Sequence, residues 1–209
     1  MSQAHARPFL LGLTGNIACG KSSVGQLLAR RYAADYVDAD RLVHALYAAG
    51  TPETAAIVRR FGSHLLGPDG TVDRRRLGDA VLGQPQALRD LERILDPGVR
   101  SAIEHRLATS QAAVVVLDAI RLIEGGLAAR CDAVWVVVCD PALQQLRLQS
   151  SRAMTAEQAA LRIAAQRPQA EKIKHATAVI RTDGTLDDLA RQVDSAWQHT
   201  VAPHLARPQ

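Results

Sequence analysis

The chain has 209 residues, a length that suits one domain with a sizeable apolar core. Because 47% of the residues are hydrophobic, we exclude a disordered chain, and because no apolar run approaches 18 residues we expect no membrane partner. The net charge of +4 is mild, and no basic block is interleaved with aromatic residues, so we expect no nucleic-acid partner. Three cysteines without metal-ligand spacing, and no targeting pattern at the N-terminus, lead us to expect a cytoplasmic protein.

The first motif is a glycine-rich loop between a predicted strand and a predicted helix. Phe9–Thr14 is an apolar run of strand length, and residues 23–32 carry apolar side chains at helical spacing. Between them the chain matches the phosphate-binding loop pattern G-x-x-x-x-G-K-S over Gly15, Asn16, Ile17, Ala18, Cys19, Gly20, Lys21 and Ser22. Strand, loop and helix in this order are the context in which the pattern predicts a nucleotide site.

The residue types of the loop indicate how phosphates would be held. Gly15 and Gly20 let the backbone curl so that its N–H groups point at phosphate oxygens, and the helix N-terminus adds its positive end. Lys21 can reach the β- and γ-phosphates, and the Ser22 hydroxyl can ligate Mg²⁺. We expect ATP to bind to this loop together with the adjacent Ser23.

Two carboxylates end a second predicted strand, Tyr36–Asp40. Ligands of open α/β sheets bind beyond the carboxyl ends of strands, so we expect the phosphate loop and this pair to open onto one edge. Asp38 and Asp40 lie two residues apart, so in an extended segment their side chains would point the same way. A carboxylate there could accept a proton from an attacking hydroxyl or hold Mg²⁺. The alternative is that Asp40 caps the helix that follows it.

Residues 41–110 are predicted to be mostly helical, and we interpret them as a helical insertion beside the phosphate site. The expected helices start near Thr51, Asp73, Pro85 and Val99, and the third ends at Asp96-Pro97. The run Arg74–Arg76 could grip substrate phosphates, although a solvated helix start is the other interpretation of the same charges.

The second half of the chain continues the α/β pattern. Apolar strands that end in Asp are predicted at Ala113–Asp118 and Ala133–Asp140, as in the buried strands of a parallel sheet. Asp118 also resembles the carboxylate on the Mg²⁺ side of phosphate-loop proteins. A helix end and loop are expected at Glu124–Gly126, a short strand at Ala178–Ile180, and a closing helix at Leu186–Trp197.

Residues 143–167 are predicted to form a helical hairpin that acts as a lid. The hairpin breaks near Ala153–Thr155, and Thr155–Gln158 matches a capping box. Arginines at 147 and 152 could bring positive charge to the transferring group when such a lid closes and excludes water. The alternative is an amphipathic surface hairpin with solvated arginines.

Over nearly its whole length the chain resembles the dephospho-coenzyme A kinase family. The phosphate loop is common to many families, whereas D-A-D at Asp38–Asp40 and R-I-x-x-Q at Arg162–Gln166 are far more specific. The resemblance implies an α/β P-loop NTPase three-layer fold with a central parallel sheet. In a single kinase domain, 1–209, it implies a helical acceptor-binding insertion at 41–110 and a helical lid at 143–167.

The same resemblance implies transfer of the ATP γ-phosphate to the ribose 3′-hydroxyl of dephospho-coenzyme A, the last step of coenzyme A biosynthesis. Asp40 would be the catalytic base, with Lys21 and the lid arginine Arg152 as the other catalytic residues. Arg147 would join the loop in binding ATP, and Mg²⁺ would be held by Ser22, Asp38 and Asp40. We expect ATP and Mg²⁺ as cofactors, dephospho-coenzyme A as substrate, and a monomer or small homo-oligomer.

The chain departs from the family pattern at several positions. Asn16, Ala18 and Cys19 stand where the loop usually has Gly, Gly and Ser, and Ala18 lacks glycine's freedom at positive φ. Further departures are Asp96, Ile120, Arg121, Thr177 and Thr182. They keep open two alternatives: another P-loop small-molecule kinase, and a nucleotide-binding relative with weak or no activity. We exclude a GTPase, because GTPases recognise guanine with an Asn-Lys-x-Asp motif. The only asparagine in this chain is Asn16, which lies in the phosphate loop, so the chain has no such motif.

Overall fold

A computed structural model describes residues 7–152 and 154–206. The strands and helices in this part of the chain are β1 Phe9–Thr14, α1 Lys21–Tyr32, β2 Asp35–Asp38, α2 Ala39–Leu46, α3 Pro52–Phe61, α4 Arg74–Val81, α5 Pro85–Thr109, β3 Val114–Asp118, β4 Ala133–Val138, α6 Pro141–Arg152, α7 Ala156–Ala164, α8 Gln169–Ile173, β5 Ala178–Arg181, α9 Leu186–Thr200 and α10 Ala202–Leu205. Short 3₁₀ helices lie at Ser63–Leu65 and Leu127–Arg130. The chain divides into two compact units: a first unit from the described residues of 1–37 and 110–209, and a second from 38–109.

The first unit is built on a sheet with the strand order β2-β3-β1-β4-β5. β1 pairs in parallel with β3 on one side and with β4 on the other, and β4 pairs in parallel with β5. Every residue of β1, β3 and β4 is buried, as expected for strands covered by helices on both faces. The sheet confirms the predicted α/β class, and the loop after β1 lies where the strand order reverses, the usual ligand position in such folds.

The core of the first unit is mostly aliphatic, and the two tryptophans of the chain join it to α9. Trp135 of β4 is completely buried, and its indole N–H donates to the Thr200 hydroxyl of α9 at 2.9 Å. Trp197 of α9 stacks on Tyr32 of α1 with ring centroids 3.9 Å apart. The two rings therefore hold α1, the helix that follows the phosphate loop, against α9.

The second unit is a group of helices around its own apolar core. Side chains from α3, α4 and α5 form this core, with Ile57, Leu77, Leu91 and Leu95 among its buried members. Three helix starts agree with the predictions, since Thr51 caps α3, Asp73 caps α4, and α5 begins at Pro85. Each capping side chain accepts hydrogen bonds from backbone N–H groups of the first turn.

The predicted break at Asp96-Pro97 is wrong, because α5 runs through it from Pro85 to Thr109. Proline removes one backbone donor, yet the buried stripe continues across it at Leu91, Leu95 and Val99. An ion pair between Asp96 and Arg100 at 2.7 Å also spans the proline. Burial of one continuous helix face outweighs the local preference of proline to end a helix.

The predicted strand Tyr36–Asp40 is also too long, because β2 ends at Asp38 and α2 begins at Ala39. The Asp38 carboxylate accepts a hydrogen bond from the Asp40 backbone N–H at 2.9 Å and so caps α2. The cap is therefore Asp38 and not Asp40, which lies in the first helical turn. The expectation that both side chains point the same way along a strand fails for the same reason.

Smaller differences follow from capping and from short elements. β4 ends at Val138 because the carboxylate of Asp140 accepts from the Ala142 N–H at 2.8 Å, at the start of α6. The Thr155–Gln158 capping box is present as predicted. Residues 120–126 form turns in place of the expected helix end, and α8 and α10 carry too few residues for a periodic pattern. Among the described helices none is long and apolar enough to span a membrane.

The C-terminal end of α1 generates a stability prediction. Ala33 caps this end in the left-handed region, with φ 51°, where glycine is the usual residue. Ala33→Gly should raise the free energy of unfolding by about 0.5 kcal/mol, because relief of the strained φ exceeds the extra chain entropy of glycine. Urea denaturation with an unchanged m-value measures the effect.

The matched control is Ala29→Gly, the same substitution inside α1. It should lower the free energy of unfolding by about 1 kcal/mol, since glycine is a poor helix former. If both substitutions destabilise the protein equally, Ala33 carries no strain and does not end α1 in the left-handed region.

Candidate active site

The phosphate loop is held in a tight curl between β1 and α1. The Lys21 ammonium, which is mostly buried, donates to the carbonyl oxygens of Gly15 at 3.1 Å and of Asn16 at 3.4 Å. Gly15 packs so closely on β4 that a Cβ would lie 2.2 Å from the Val137 carbonyl oxygen, and Gly20 has φ 86° at the N-terminus of α1. Both glycines are therefore required by the geometry, as the sequence predicts.

Ala18 and Asn16, two of the loop positions that depart from the family pattern, differ in backbone conformation. Ala18 has φ 57°, so it occupies the left-handed region in which the family usually has glycine. The described non-glycine residues with positive φ are Ala18 and Ala33, so Asn16 needs no such freedom. Ala18 is thus a strained residue in the loop, at a cost of about 1–2 kcal/mol.

Both ends of the predicted lid segment hold the tip of this loop. At one end, the Gln166 side-chain oxygen accepts from the Ile17 N–H at 2.8 Å, and the Asn16 amide donates to the Arg167 carbonyl at 3.0 Å. At the other end, the Gln144 amide donates to the Ile17 carbonyl at 2.6 Å. The peptide groups of Ile17 are therefore satisfied from α6 and from the end of α7, which couples the position of the loop to that of the hairpin.

Arg147 is bonded into the site and is not a solvated surface residue. Its guanidinium donates to the Thr182 hydroxyl at 2.8 Å, to the Thr182 carbonyl at 2.7 Å and to the Ala18 carbonyl at 3.4 Å. The Thr182 hydroxyl in turn donates to the Cys19 carbonyl at 2.8 Å. Thr182, where the family usually has Asn, therefore links the loop, α6 and the end of β5.

A cavity of about 480 Å³ opens over the loop. Its lining includes Lys21, Ser22, Ser23, Arg147 and Arg152. Three cations and several hydroxyls in one cavity suit a polyphosphate, which accepts hydrogen bonds and carries negative charge. The structure therefore brings together most of the residues predicted to bind ATP, and Arg152 lies at the C-terminal end of α6 with an exposed side chain.

The second unit contains a separate cavity of about 280 Å³. Asp40, His44, Tyr47 and Arg74 contribute polar atoms to it, and α2, α4 and α5 supply an apolar floor of Val43, Leu77, Val81 and Leu91. Burial raises the pKa of Tyr47, while the charge of Arg74 acts in the opposite direction. Tyr47 therefore enters this cavity as a neutral hydroxyl.

The run Arg74–Arg76 divides between the two interpretations of its charges. Arg74 lines the second cavity. Arg76 instead donates to the carbonyl oxygens of His64 at 2.9 Å and Leu66 at 3.3 Å, so it supports the turn before α4. One arginine of the run is therefore available to a ligand in this cavity, and another is structural.

The predicted metal ligands lie in different surroundings. Ser22 lines the first cavity and Asp40 the second, while the Asp38 carboxylate is engaged as a helix cap. Asp118, at the end of β3, is buried and accepts a hydrogen bond from the Tyr36 hydroxyl at 2.6 Å. Within residues 7–152 and 154–206 no group of three His, Cys, Asp or Glu side chains gathers in a form that could hold a metal ion.

A buried ion pair near the first cavity, between Lys172 and Glu124, was not predicted from the sequence. The Lys172 ammonium donates to the Ile120 carbonyl and to the Glu124 carboxylate, both at 2.7 Å. Burial opposes the ionisation of Glu124, but the ion pair with Lys172 outweighs it and lowers the pKa of this carboxyl. A single lysine in a short helix carries no sequence signal, whereas Gln166 could have been found, because it ends the R-I-x-x-Q motif.

Comparisons with known proteins agree with this geometry. The family model described as dephospho-CoA kinase matches residues 9–188. The dephospho-CoA kinase of Thermosynechococcus vestitus is 42% identical over 92% of this chain and 95% of its own length. That of Geobacter metallireducens is 40% identical over 92% of this chain and 96% of its own length.

Solved structures give the same fold. The protein TT1252 from Thermus thermophilus superposes with a TM-score of 0.81 at 28% identity, over 94% of this chain and all of its own. The dephospho-CoA kinase from Campylobacter jejuni superposes with a TM-score of 0.65 over 93% of this chain and 98% of its own, and its 23% identity supports the fold alone. Since the family model covers most of the chain and relatives near 40% identity span nearly all of it, the chain belongs to the dephospho-CoA kinase family.

Proposed function

We propose that this chain transfers the γ-phosphate of ATP to the ribose 3′-hydroxyl of dephospho-CoA and so completes coenzyme A. The observation that carries the proposal is the cavity over the phosphate loop, with Lys21, Arg147 and Arg152 in its lining, in a chain of this family. Phosphoryl transfer requires little covalent chemistry from a protein, because catalysis comes mainly from positioning and from charge. The cavity supplies both.

In this proposal ATP lies with its phosphates over the loop. The backbone N–H groups between Gly15 and Ser23 surround the phosphate oxygens, and the N-terminus of α1 adds its dipole. The Lys21 ammonium exchanges its contacts with loop carbonyls for the β- and γ-phosphates. Arg147, already fixed by Thr182, has guanidinium N–H groups on the same cavity.

The donor set also fits Mg²⁺. The Ser22 hydroxyl lines the nucleotide cavity, and hydroxyl and carboxylate oxygens are the ligands that Mg²⁺ prefers. Ser22 would be a direct ligand, whereas binding of the same ion by Asp38 and Asp40 stays a prediction from the family resemblance, since Asp38 caps α2 and Asp40 lines the cavity of the second unit. When bound, Mg²⁺ neutralises charge on the β- and γ-phosphates.

The acceptor enters the cavity of the second unit. Asp40 lines this cavity and its carboxylate is exposed, so it can accept the proton of a hydroxyl placed beside it. Arg74 can pair with the diphosphate of the acceptor, and the apolar floor suits a base or an alkyl chain. Residues 41–110 would thus be the acceptor-binding part of the chain, and the hairpin 143–167 would be the lid.

No observation favours a second function. The shikimate kinase of Bacteroides thetaiotaomicron superposes with a TM-score of 0.55 at 15% identity, which supports the fold and not the substrate. We place the reaction in the cytoplasm, where thiols stay reduced, because the three cysteines are free. A monomer or small homo-oligomer without a nucleic-acid partner stays a prediction.

The proposed function is tested by incubating the protein with dephospho-CoA, ATP and Mg²⁺ and following the products by mass spectrometry. We expect dephospho-CoA to be consumed and coenzyme A to appear in equal amount with ADP. ADP formed from ATP without coenzyme A would contradict the acceptor, and an absence of both products would contradict a kinase.

Lys21→Ala should abolish turnover and weaken ATP binding by about tenfold or more, because the β- and γ-phosphates lose their nearest cation. The measurements are coenzyme A formation and titration with a fluorescent ATP analogue. Lys174→Ala, at an exposed lysine of the first unit paired with Glu171, is the matched control and should leave both unchanged. Normal ATP affinity and rate in Lys21→Ala would refute the phosphate-loop assignment.

Arg152→Ala should lower kcat more than it weakens ATP binding, if this arginine meets the phosphoryl group only in the closed state. Arg30→Ala, at an exposed arginine of α1 bonded to Gln26, is the control. An unchanged kcat in Arg152→Ala would mean that Arg152 is a solvated surface residue without a role in the reaction. Arg147 would then be the next candidate for the arginine that contacts the transferred phosphoryl group.

Asp40→Asn should lower kcat by about 10²–10⁴-fold with near-native melting and ATP binding, because the amide cannot accept the hydroxyl proton. The fold should persist because the capping carboxylate belongs to Asp38 and not to Asp40. The comparison is Asp38→Asn, which changes the other carboxylate but keeps the cap, since Asn caps a helix about as well as Asp.

The kcat of both variants, measured over a series of pH values, shows which of the two carboxylates is the base. If the rate survives in Asp40→Asn and collapses in Asp38→Asn, the base is Asp38. If both variants turn over normally, neither carboxylate takes part in the reaction and the proposed mechanism is wrong.

A further inference from the structure

Two thiols meet beneath the phosphate loop. The sulfur atoms of Cys19, in the loop, and Cys139, just after β4, lie 3.6 Å apart, and both residues are almost completely buried. Both are free cysteines. A disulfide requires a sulfur–sulfur separation of about 2.05 Å, so the two atoms need to approach by only about 1.5 Å from their 3.6 Å contact.

We propose that Cys19 and Cys139 form a reversible disulfide on reaction with a hydroperoxide, and that this disulfide closes the ATP site. The consequence for ATP rests on the proposed function, whereas the disulfide itself does not.

The hydrogen bond between the thiols makes Cys19 the nucleophile. The Cys139 thiol donates to the Cys19 sulfur, and this bond, aided by the charge of Lys21, lowers the pKa of Cys19 against the opposing effect of burial. The same bond, together with burial, raises the pKa of Cys139. Because the thiolate is the reactive form, Cys19 reacts first and Cys139 resolves.

The chemistry balances with one molecule of hydrogen peroxide, the simplest hydroperoxide. The Cys19 thiolate attacks a peroxide oxygen, the O–O bond breaks, and a sulfenic acid forms with release of hydroxide, which takes up the thiol proton as water. The Cys139 sulfur then attacks the Cys19 sulfur, the S–S bond forms, and the sulfenic hydroxyl leaves as water with the Cys139 proton. Two thiols lose two electrons to the peroxide, and a small dithiol reverses the reaction by exchange.

The pair lies next to a cavity that can admit the oxidant. Ala18 and Gly20, the chain neighbours of Cys19, line the nucleotide cavity, whereas Cys19 itself is fully buried, so a peroxide in this cavity reaches the Cys19 sulfur when the loop shifts. Cys131 provides an internal comparison. It is less buried than the pair, but burial and the charge of Asp132 raise its pKa to about 12, and its sulfur lies 3.5 Å from the Leu127 carbonyl oxygen.

Both cysteines are held at their backbones. Gln169 bonds the Cys139 N–H and carbonyl at 3.1 and 2.9 Å, while the Cys19 carbonyl accepts from the Thr182 hydroxyl at 2.8 Å and the Cys19 N–H donates to the Asn16 carbonyl at 3.3 Å. The bonds of Cys19 lie within the curl of the phosphate loop, so the part of the sulfur approach that Cys19 takes up strains that curl. The loop N–H groups that would surround the phosphates then change direction.

The test treats the full folded chain with hydrogen peroxide, removes the peroxide, unfolds the chain in urea with iodoacetamide to block every free thiol, and maps peptides by mass spectrometry. We expect the pair peptide Cys19–Cys139, lighter by about 2 Da than the two thiol peptides together, while Cys131 is alkylated. Cys131→Ser should form the same cross-link, and Cys139→Ser should form none. Alkylation of Cys19 and Cys139 after an exposure that oxidises Cys131 would overturn the proposal.

The second readout is ATP affinity, measured with a fluorescent ATP analogue before oxidation, after it and after reduction by dithiothreitol. Oxidised wild-type protein should bind about tenfold more weakly or worse, with recovery on reduction. Cys139→Ser should bind normally before and after peroxide. An equal loss in Cys139→Ser, or a cross-linked protein with unchanged affinity, would overturn the closure of the site. If the untreated protein fails to bind ATP, the proposed function is wrong. The peptide map still shows whether the disulfide forms, because it does not depend on ATP binding.

Discussion

The curl of the phosphate loop is the constraint on which the first unit depends. β1 and β4 lie so close at Gly15 that only a residue without a Cβ fits, and the chain must turn there toward α1. The Lys21 ammonium holds the turn from inside, and Gln144 and Gln166 hold the Ile17 peptide groups from the hairpin. The loop is thus shaped by packing on one side and by directed hydrogen bonds on the other, which leaves its outer face for phosphate oxygens.

This arrangement links the nucleotide site to the hairpin at 143–167. Ile17 also packs with Leu148 of α6 and Ala159 of α7, so the contact is apolar as well as polar. Any ligand that reshapes the loop acts on the hairpin through the same few contacts. The strained Ala18 and the bonded Arg147 lie at this junction, which favours a loop that changes shape when phosphates bind.

Much of the fold could be predicted because its signals are local. The apolar runs of β1 and β3, the glycine loop and the capping box at Thr155–Gln158 each follow from a short pattern. The prediction at Pro97 failed because distant residues decide there: burial of one helix face carries α5 through the proline. The second strand was predicted too long for a local reason, because the Asp38 cap starts α2 two residues early.

The residues that line the first cavity could be predicted to a similar degree. Lys21 and Ser22 follow from the loop pattern and Arg147 from the family resemblance, and all three line that cavity, while their roles toward ATP stay proposals. Thr182 and Lys172 could not be assigned contacts, because their partners lie 35 or more residues away in the chain and no spacing rule links them.

The central claim is that the two cavities receive two different substrates, ATP in the first unit and dephospho-CoA in the second. Hydrogen exchange measured with a non-hydrolysable ATP analogue, and separately with dephospho-CoA, tests it most directly. The account predicts that the ATP analogue protects residues 15–23 and that dephospho-CoA protects amides of α2 and α4. The account would be contradicted if dephospho-CoA, added without the ATP analogue, protected residues 15–23 and left the amides of α2 and α4 unprotected.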